Sequence, residues 1–144
     1  MTYMRTASAK VGAALGAAAL VAAAGMVSPA TAGAQDGQQV RYTVSSAGAY
    51  EFELFYLTAQ PPSMEAFNAD AYAYAKREKV TITPGAPWVF EATFEDPQWA
   101  ILTASSTARG GQAAPGAHCD IAVNNEVLVN HDDPHNVRCQ LGQW

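Results

Sequence analysis

Positive charge is scarce in this chain of 144 residues: eight lysines and arginines stand against thirteen aspartates and glutamates. That balance argues against a nucleic-acid binder, which needs a basic footprint, and gives no support to attachment driven by anionic lipid headgroups. Cysteine is scarcer still. The two present, Cys119 and Cys139, form no C-x-x-C pair, and two thiols so far apart are too few soft ligands for a metal centre. With three histidines, and no G-x-S-x-G, glycine-rich phosphate loop, H-E-x-x-H or dinucleotide fingerprint, no established catalytic motif is met and no cofactor is implied.

Long hydrophobic runs are absent too, with one exception. Residues 11–27 are free of charge; Arg5 and Lys10 precede them, and Pro29 and a small-residue stretch follow. This order of basic end, apolar run, breaker and A-x-A site is that of a secretory signal. It places cleavage after Ala34, with Ala32 as the second choice. The competing reading is an uncleaved anchor, since 17 residues stand at the lower limit for crossing a bilayer core. The expected organisation is therefore a signal peptide or N-terminal anchor over 1–34, a linker over 35–39 and one domain over 40–144. The part beyond residue 34 carries six basic and thirteen acidic residues, a balance of −7. It is expected to be secreted or held in the cell envelope, with membrane association through residues 11–27 if they are retained.

What the domain does have is period-two patterning. In VRYTVSS, Val40, Tyr42 and Val44 share one face; in YEFELFYLT, Tyr50, Phe52, Leu54 and Tyr56 do so, with Phe55 and Leu57 suggesting that the far end is covered on both sides. WVFEATFE sets Trp88, Phe90, Ala92 and Phe94 against Val89, Glu91, Thr93 and Glu95. Further strands are read at 80–83, 99–107, 119–123, 126–130 and 136–141, separated by proline-, glycine- and asparagine-rich turns. The spacing predicts an all-β fold, an immunoglobulin-like β-sandwich of about seven strands. A short helix is expected near 64–78, where Met64, Phe67, Ala71 and Tyr74 recur at helical spacing behind a Ser63 cap, although Tyr72, Tyr74 and Lys76 also alternate as a strand would. Cys119 and Cys139 fall on the apolar parity of their strands. In an oxidising compartment such an even pair reads as one disulfide.

Few residues invite a chemical reading. In His131-Asp132-Asp133-Pro134-His135 two imidazoles and a carboxylate could meet a metal, yet proline and acids at a strand end are also turn formers. The run Lys76–Lys79 reads as a solvated face. Glu51 with Glu53, and Glu91 with Glu95, lie on outward parities and would serve glycoside chemistry only if they faced one another across a cleft. Most aromatics follow core parity. Tyr72 and Tyr74 do not, and they form the candidate recognition surface.

The motifs R-Y-T-V at 41–44, A-P-W at 86–88, W-A-I-L-T-A at 99–104 and C-D-I-A-V-N-N-E-V at 119–127, with the second cysteine at 139, resemble the mycobacterial small membrane protein family (MmpS). The resemblance spans about residues 40–140. It implies a small extracytoplasmic sandwich acting as a transport accessory, partnered with an inner-membrane exporter of lipids or siderophores, and no catalytic residues. The departures are that alanine replaces the usual leucine before Pro87-Trp88, that the apolar N-terminal segment reads as cleavable where the family retains it in the membrane, and that the 60–79 segment is longer. The expected function is thus a non-enzymatic envelope binding or accessory protein with an exporter or envelope lipid as partner. The alternatives are a periplasmic carrier, whose aromatics would line a cavity for a lipid-like ligand, and a small metal-dependent hydrolase built on the His131/His135 turn.

Overall fold

Eight strands, several of them with alternating burial, account for most of the described domain. They are β1 (Gln38–Ser46), β2 (Tyr50–Leu57), β3 (Ala75–Ile82), β4 (Trp88–Phe94), β5 (Ile101–Ser106), β6 (Ala117–Val123), β7 (Glu126–Asp133) and β8 (Asn136–Gln140), with one helix, α1 (Met64–Ala69), after β2. The structure, a computed structural model, describes residues 37–107 and 111–144. The expected signal or anchor, its cleavage site and most of the linker lie outside the described residues.

The strands form two antiparallel four-stranded sheets, the first in the order β4-β1-β6-β7 and the second in the order β3-β2-β5-β8. Successive residues of a strand point to opposite faces, so each strand contributes every second side chain to the space between the sheets. Val40, Tyr42 and Val44 of β1 are fully buried there, opposite Phe52, Leu54 and Tyr56 of β2 and Leu102 and Ala104 of β5. The β2 end expected to be covered on both sides is so: Leu57 is completely buried and Phe55 half-buried.

The segment 64–79 departs from the expected helix. Ser63 caps α1, its Oγ accepting from the Ala66 N–H at 3.1 Å, but the helix stops at Ala69. A single 3-10 turn, Ala71–Ala73, follows. From Ala75 the chain pairs with β2, in a register running from Leu57↔Ala75 to Tyr50↔Ile82. Eight residues of ladder satisfy every second backbone group of Lys76–Lys79 and outweigh the modest helix preference of lysine, arginine and glutamate. The strand read at 80–83 is the second half of this longer one, and the segments read as strands correspond to the eight strands of the sandwich, against the stated count of about seven.

Two features close the core. Cys119 of β6 and Cys139 of β8 are joined, with Cα atoms 6.2 Å apart, which ties the first sheet to the second. At one end of the sandwich the Trp144 indole N–H donates to the Trp99 carbonyl at 2.8 Å, and its ring stands edge-on to both Trp99 and Phe67 of α1. The C-terminal tryptophan is thus packed.

Candidate functional site

The two tyrosines of the expected recognition surface part company. Tyr74 is half-buried against the core, and its carbonyl accepts from the backbone of Thr58 and Ala59 and from the Thr58 hydroxyl. It anchors the approach to β3. Tyr72, on the 3-10 turn, is 60% exposed, the most exposed of the large hydrophobic side chains among the described residues. Its ring stands edge-on to Phe55 at 6.4 Å, and the Arg77 guanidinium carbon lies 6.0 Å from its centre.

Phe55 and Arg77 belong to the solvent face of the second sheet. The registers Arg77↔Phe55, Phe55↔Thr103 and Thr103↔Arg138 align four outward residues in one row across β3, β2, β5 and β8. Three inter-strand spacings separate its ends, roughly 14 Å. The adjacent row holds Lys79 beside Glu53 and Ser105. Three of the five described basic residues, Arg77, Lys79 and Arg138, therefore face out from this sheet. Arg77 and Arg138 form no ion pair among the described residues; the Arg138 Nε–H donates to the Gln140 side-chain carbonyl. The solvent face of the first sheet is of opposite character, with Glu91, Asp120 and Asp132 against Arg41.

The histidine-rich turn is committed to structure. Asp133 accepts from the backbone N–H groups of His135 and Asn136 at 2.8 and 2.9 Å, and these two bonds hold its carboxyl below its ordinary value of 3.8. Asp132 turns to the neighbouring strand, where its carboxylate lies 2.7 Å from His118 Nδ1. Register also sets Ser45 beside His118, so serine, histidine and aspartate stand abreast on β1, β6 and β7. The second ring nitrogen, which a hydrolase would turn to the serine, instead lies 3.6 Å from an Asp120 carboxylate oxygen. On an open sheet face this is a charged surface cluster. His131 and His135 are exposed, and among the described residues no group of three or more His, Cys, Asp or Glu is disposed to hold a metal ion.

The aromatics expected in the core are there, but unevenly. Tyr42 and Tyr56 are buried and meet edge-on at 6.1 Å. Trp88 and Phe90 of edge strand β4 are half-buried, nearly parallel, and lie 4.8 and 4.9 Å from the Tyr56 ring. The Tyr56 hydroxyl donates to Glu78 at 2.6 Å, and the other Glu78 oxygen lies 3.3 Å from Lys76 Nζ. Burial, then the Glu78 hydrogen bond and charge, push the Tyr56 phenol well above its ordinary range. Tyr42 is raised by burial as well; the backbone of Ile101 offsets part of that, yet the hydroxyl has no partner at good hydrogen-bonding geometry.

Comparison with known proteins gives this sandwich a family. Residues 42–139 match the family described as the Rv2576c beta-sandwich domain. The uncharacterized protein Rv2576c of Mycobacterium tuberculosis H37Rv is 40% identical over 109 residues, which cover 75% of this chain and 69% of that protein. The uncharacterized protein Mb2606c of Mycobacterium bovis matches to the same extent. The chain belongs to the Rv2576c β-sandwich family. This corrects the resemblance to the MmpS family, and the transport-accessory role inferred from it falls with it. The motifs that carried that resemblance are scaffold: Tyr42 and Val44 fill the core, Cys119 is in the disulfide, and Asn124 and Asn125 make the hairpin turn. Residues of this kind report how a sandwich is built, and a different family builds one with the same parts.

Sequence reasoning missed the Arg77–Phe55–Thr103–Arg138 row, Glu78 and the His118–Asp132 pair. Outward parity was readable for β2, β5 and β8, but not for the first half of β3, which was expected as part of a helix. Which strands are neighbours was not readable either, and a row across four strands exists only once their order and register are known.

Proposed function

We propose that this chain is an exported, non-enzymatic binding domain of the cell envelope, engaging its partner through the solvent face of the second sheet. The observation that carries the reading is Tyr72, which stands exposed over Phe55 and Arg77 at the end of a row closed by Arg138. An exposed aromatic backed by arginine is the composition of an energetic contact. Export is supported by the order of features in residues 1–34, and the Cys119–Cys139 bond suits an oxidising compartment. The commitment of Asp132 and Asp133 to a surface pair and a turn favours binding over hydrolysis. The ring-to-ring packing of Tyr42, Tyr56, Trp88 and Phe90 favours a filled core over a lipid-carrying cavity.

The test is fractionation of the native host. The chain is expected in the medium and envelope fractions, two hydrogen masses lighter before reduction. The Tyr72→Ala/Arg77→Gln double variant is expected to shift from envelope to medium. A reduced, full-length chain confined to the cytosol would sink the export reading, and envelope retention indifferent to the double variant would sink the surface.

A further inference from the structure

We infer that the solvent face of the second sheet binds a linear anionic glycan, a sugar chain bearing carboxylate or phosphate groups. The inference rests on the surface proposed above and names its ligand. The domain is acidic as a whole, yet its second sheet turns out Arg77, Lys79 and Arg138 against Glu51 and Glu53, and among the described residues the two arginines have no ion-pair partner. Arg77 and Arg138 close the row at both ends, roughly 14 Å apart across the sheet. A guanidinium grips a carboxylate or phosphate through two parallel N–H donors and also lies flat on an aromatic ring. The Arg77 guanidinium carbon lies 6.0 Å from the centre of the Tyr72 ring, and among the described residues Arg77 has no ion-pair partner.

Between the two arginines stand Phe55 and Thr103. Sugar rings have an apolar C–H face and a polar hydroxyl edge. An aromatic surface beside a hydroxyl and flanked by cations matches both, and matches an acidic group at each end of a short oligosaccharide. The carboxylates on this face, Glu53 and Glu51, lie in the next two rows, two and four residues along β2 from Phe55. A chain laid along the Arg77–Arg138 row passes beside them. A bilayer surface would cover the whole face and meet both acids, which cancels most of the attraction.

The experiment titrates the full, isotope-labelled chain with three probes: oligogalacturonate, a neutral galacto-oligosaccharide of equal length, and phosphatidylglycerol vesicles. Oligogalacturonate is expected to shift the amides of Phe55, Tyr72, Arg77, Thr103 and Arg138 saturably, with affinity falling as salt rises. Arg77→Gln combined with Arg138→Gln should weaken it by about tenfold or more, and Tyr72→Ala by about three- to tenfold, with all other amides unmoved as proof of folding. Equal binding of the neutral sugar, capture by vesicles through this face, face-dependent self-association on sedimentation, shifts elsewhere, or no binding by oligogalacturonate would each overturn the inference. If oligogalacturonate fails while envelope retention still depends on Tyr72 and Arg77, only the ligand is wrong. If retention ignores the face, the surface itself is wrong.

Discussion

The two lateral edges of the sandwich are closed by different physics. At one, Cys139 on edge strand β8 is bonded to Cys119 inside the first sheet, and β7 and β8 lie against each other. At the other, edge strands β3 and β4 follow one another through the turn at 83–87 and have no covalent cross-link between the sheets beyond it among the described residues: Trp88 and Phe90 rest on Tyr56, whose hydroxyl is held by Glu78 on β3. A covalent tie acts mainly by restricting the unfolded chain, whereas stacked rings act only in the folded one. The disulfide edge is therefore expected to resist local opening, and the aromatic edge to be where the sheets part first.

Truncating the aromatic edge should cost most. Tyr56→Ala removes the ring that Trp88, Phe90 and Tyr42 all touch, and a loss of about 4 kcal/mol is expected from urea unfolding. Breaking the other edge with paired Cys119→Ala and Cys139→Ala should cost about 3 kcal/mol, through the entropy of the 20-residue loop it closes. A smaller loss for Tyr56→Ala than for the cysteine pair would reverse the comparison.

Two single-atom deletions sharpen it. Tyr56→Phe takes the donor from Glu78 and should cost about 1.5 kcal/mol. Tyr42→Phe removes a buried hydroxyl without a good partner, so its effect should lie within about 0.5 kcal/mol of zero or be stabilising. Equal losses for the two would show that the Tyr56–Glu78 bond contributes nothing special.

The smallest effects follow pH, at opposite ends of the scale. Tyr56 and Tyr42 have phenols raised above the ordinary 10.0. The folded state thus holds their protons more tightly than the unfolded state, and stability is full below pH 10 and falls as pH rises beyond it. Asp133 is the reverse case, lowered from 3.8 by two backbone N–H groups. Its contribution is present above 3.8 and disappears as pH falls through the depressed value. Alkaline unfolding followed by tyrosinate absorbance, and carboxyl titration of Asp133 by NMR, check the two limbs. The acid limb should be the weaker, because Asp133 is open to solvent.

Much of this architecture was legible from residue order. The alternation in β1, β2 and β4 identified their buried faces because one face of each meets the core and the other does not. The disulfide followed from two cysteines on apolar parities. Legibility failed where a choice depended on a partner strand. Lys76–Lys79 is charged enough to pass for an exposed helix, and only pairing with β2 shows that Glu78 shares a face with Tyr56. The same holds for Arg138, an unremarked residue on a short strand until Thr103 and Phe55 connect it with Arg77. The Arg77–Phe55–Thr103–Arg138 row is a property of sheet order, and no window of sequence contains it.

The β6–β7 turn bears on how the chain reaches this state. Asn124 and Asn125 both take positive φ, 49° and 71°, the geometry that lets a two-residue loop reverse a twisted hairpin. That loop then reaches back to the start of the domain: the Asn124 N–H donates to the Gln39 carbonyl, and the Asn124 side-chain oxygen accepts from the Gln39 N–H, 85 positions away. β1 is the first strand to emerge during synthesis, yet its place is between β4 and β6. It must wait for nearly the whole domain before its central position exists. Such distant pairing slows folding. On the proposed export route, in which the chain would cross a membrane unfolded, such a delay would keep the sandwich open until β6 has emerged.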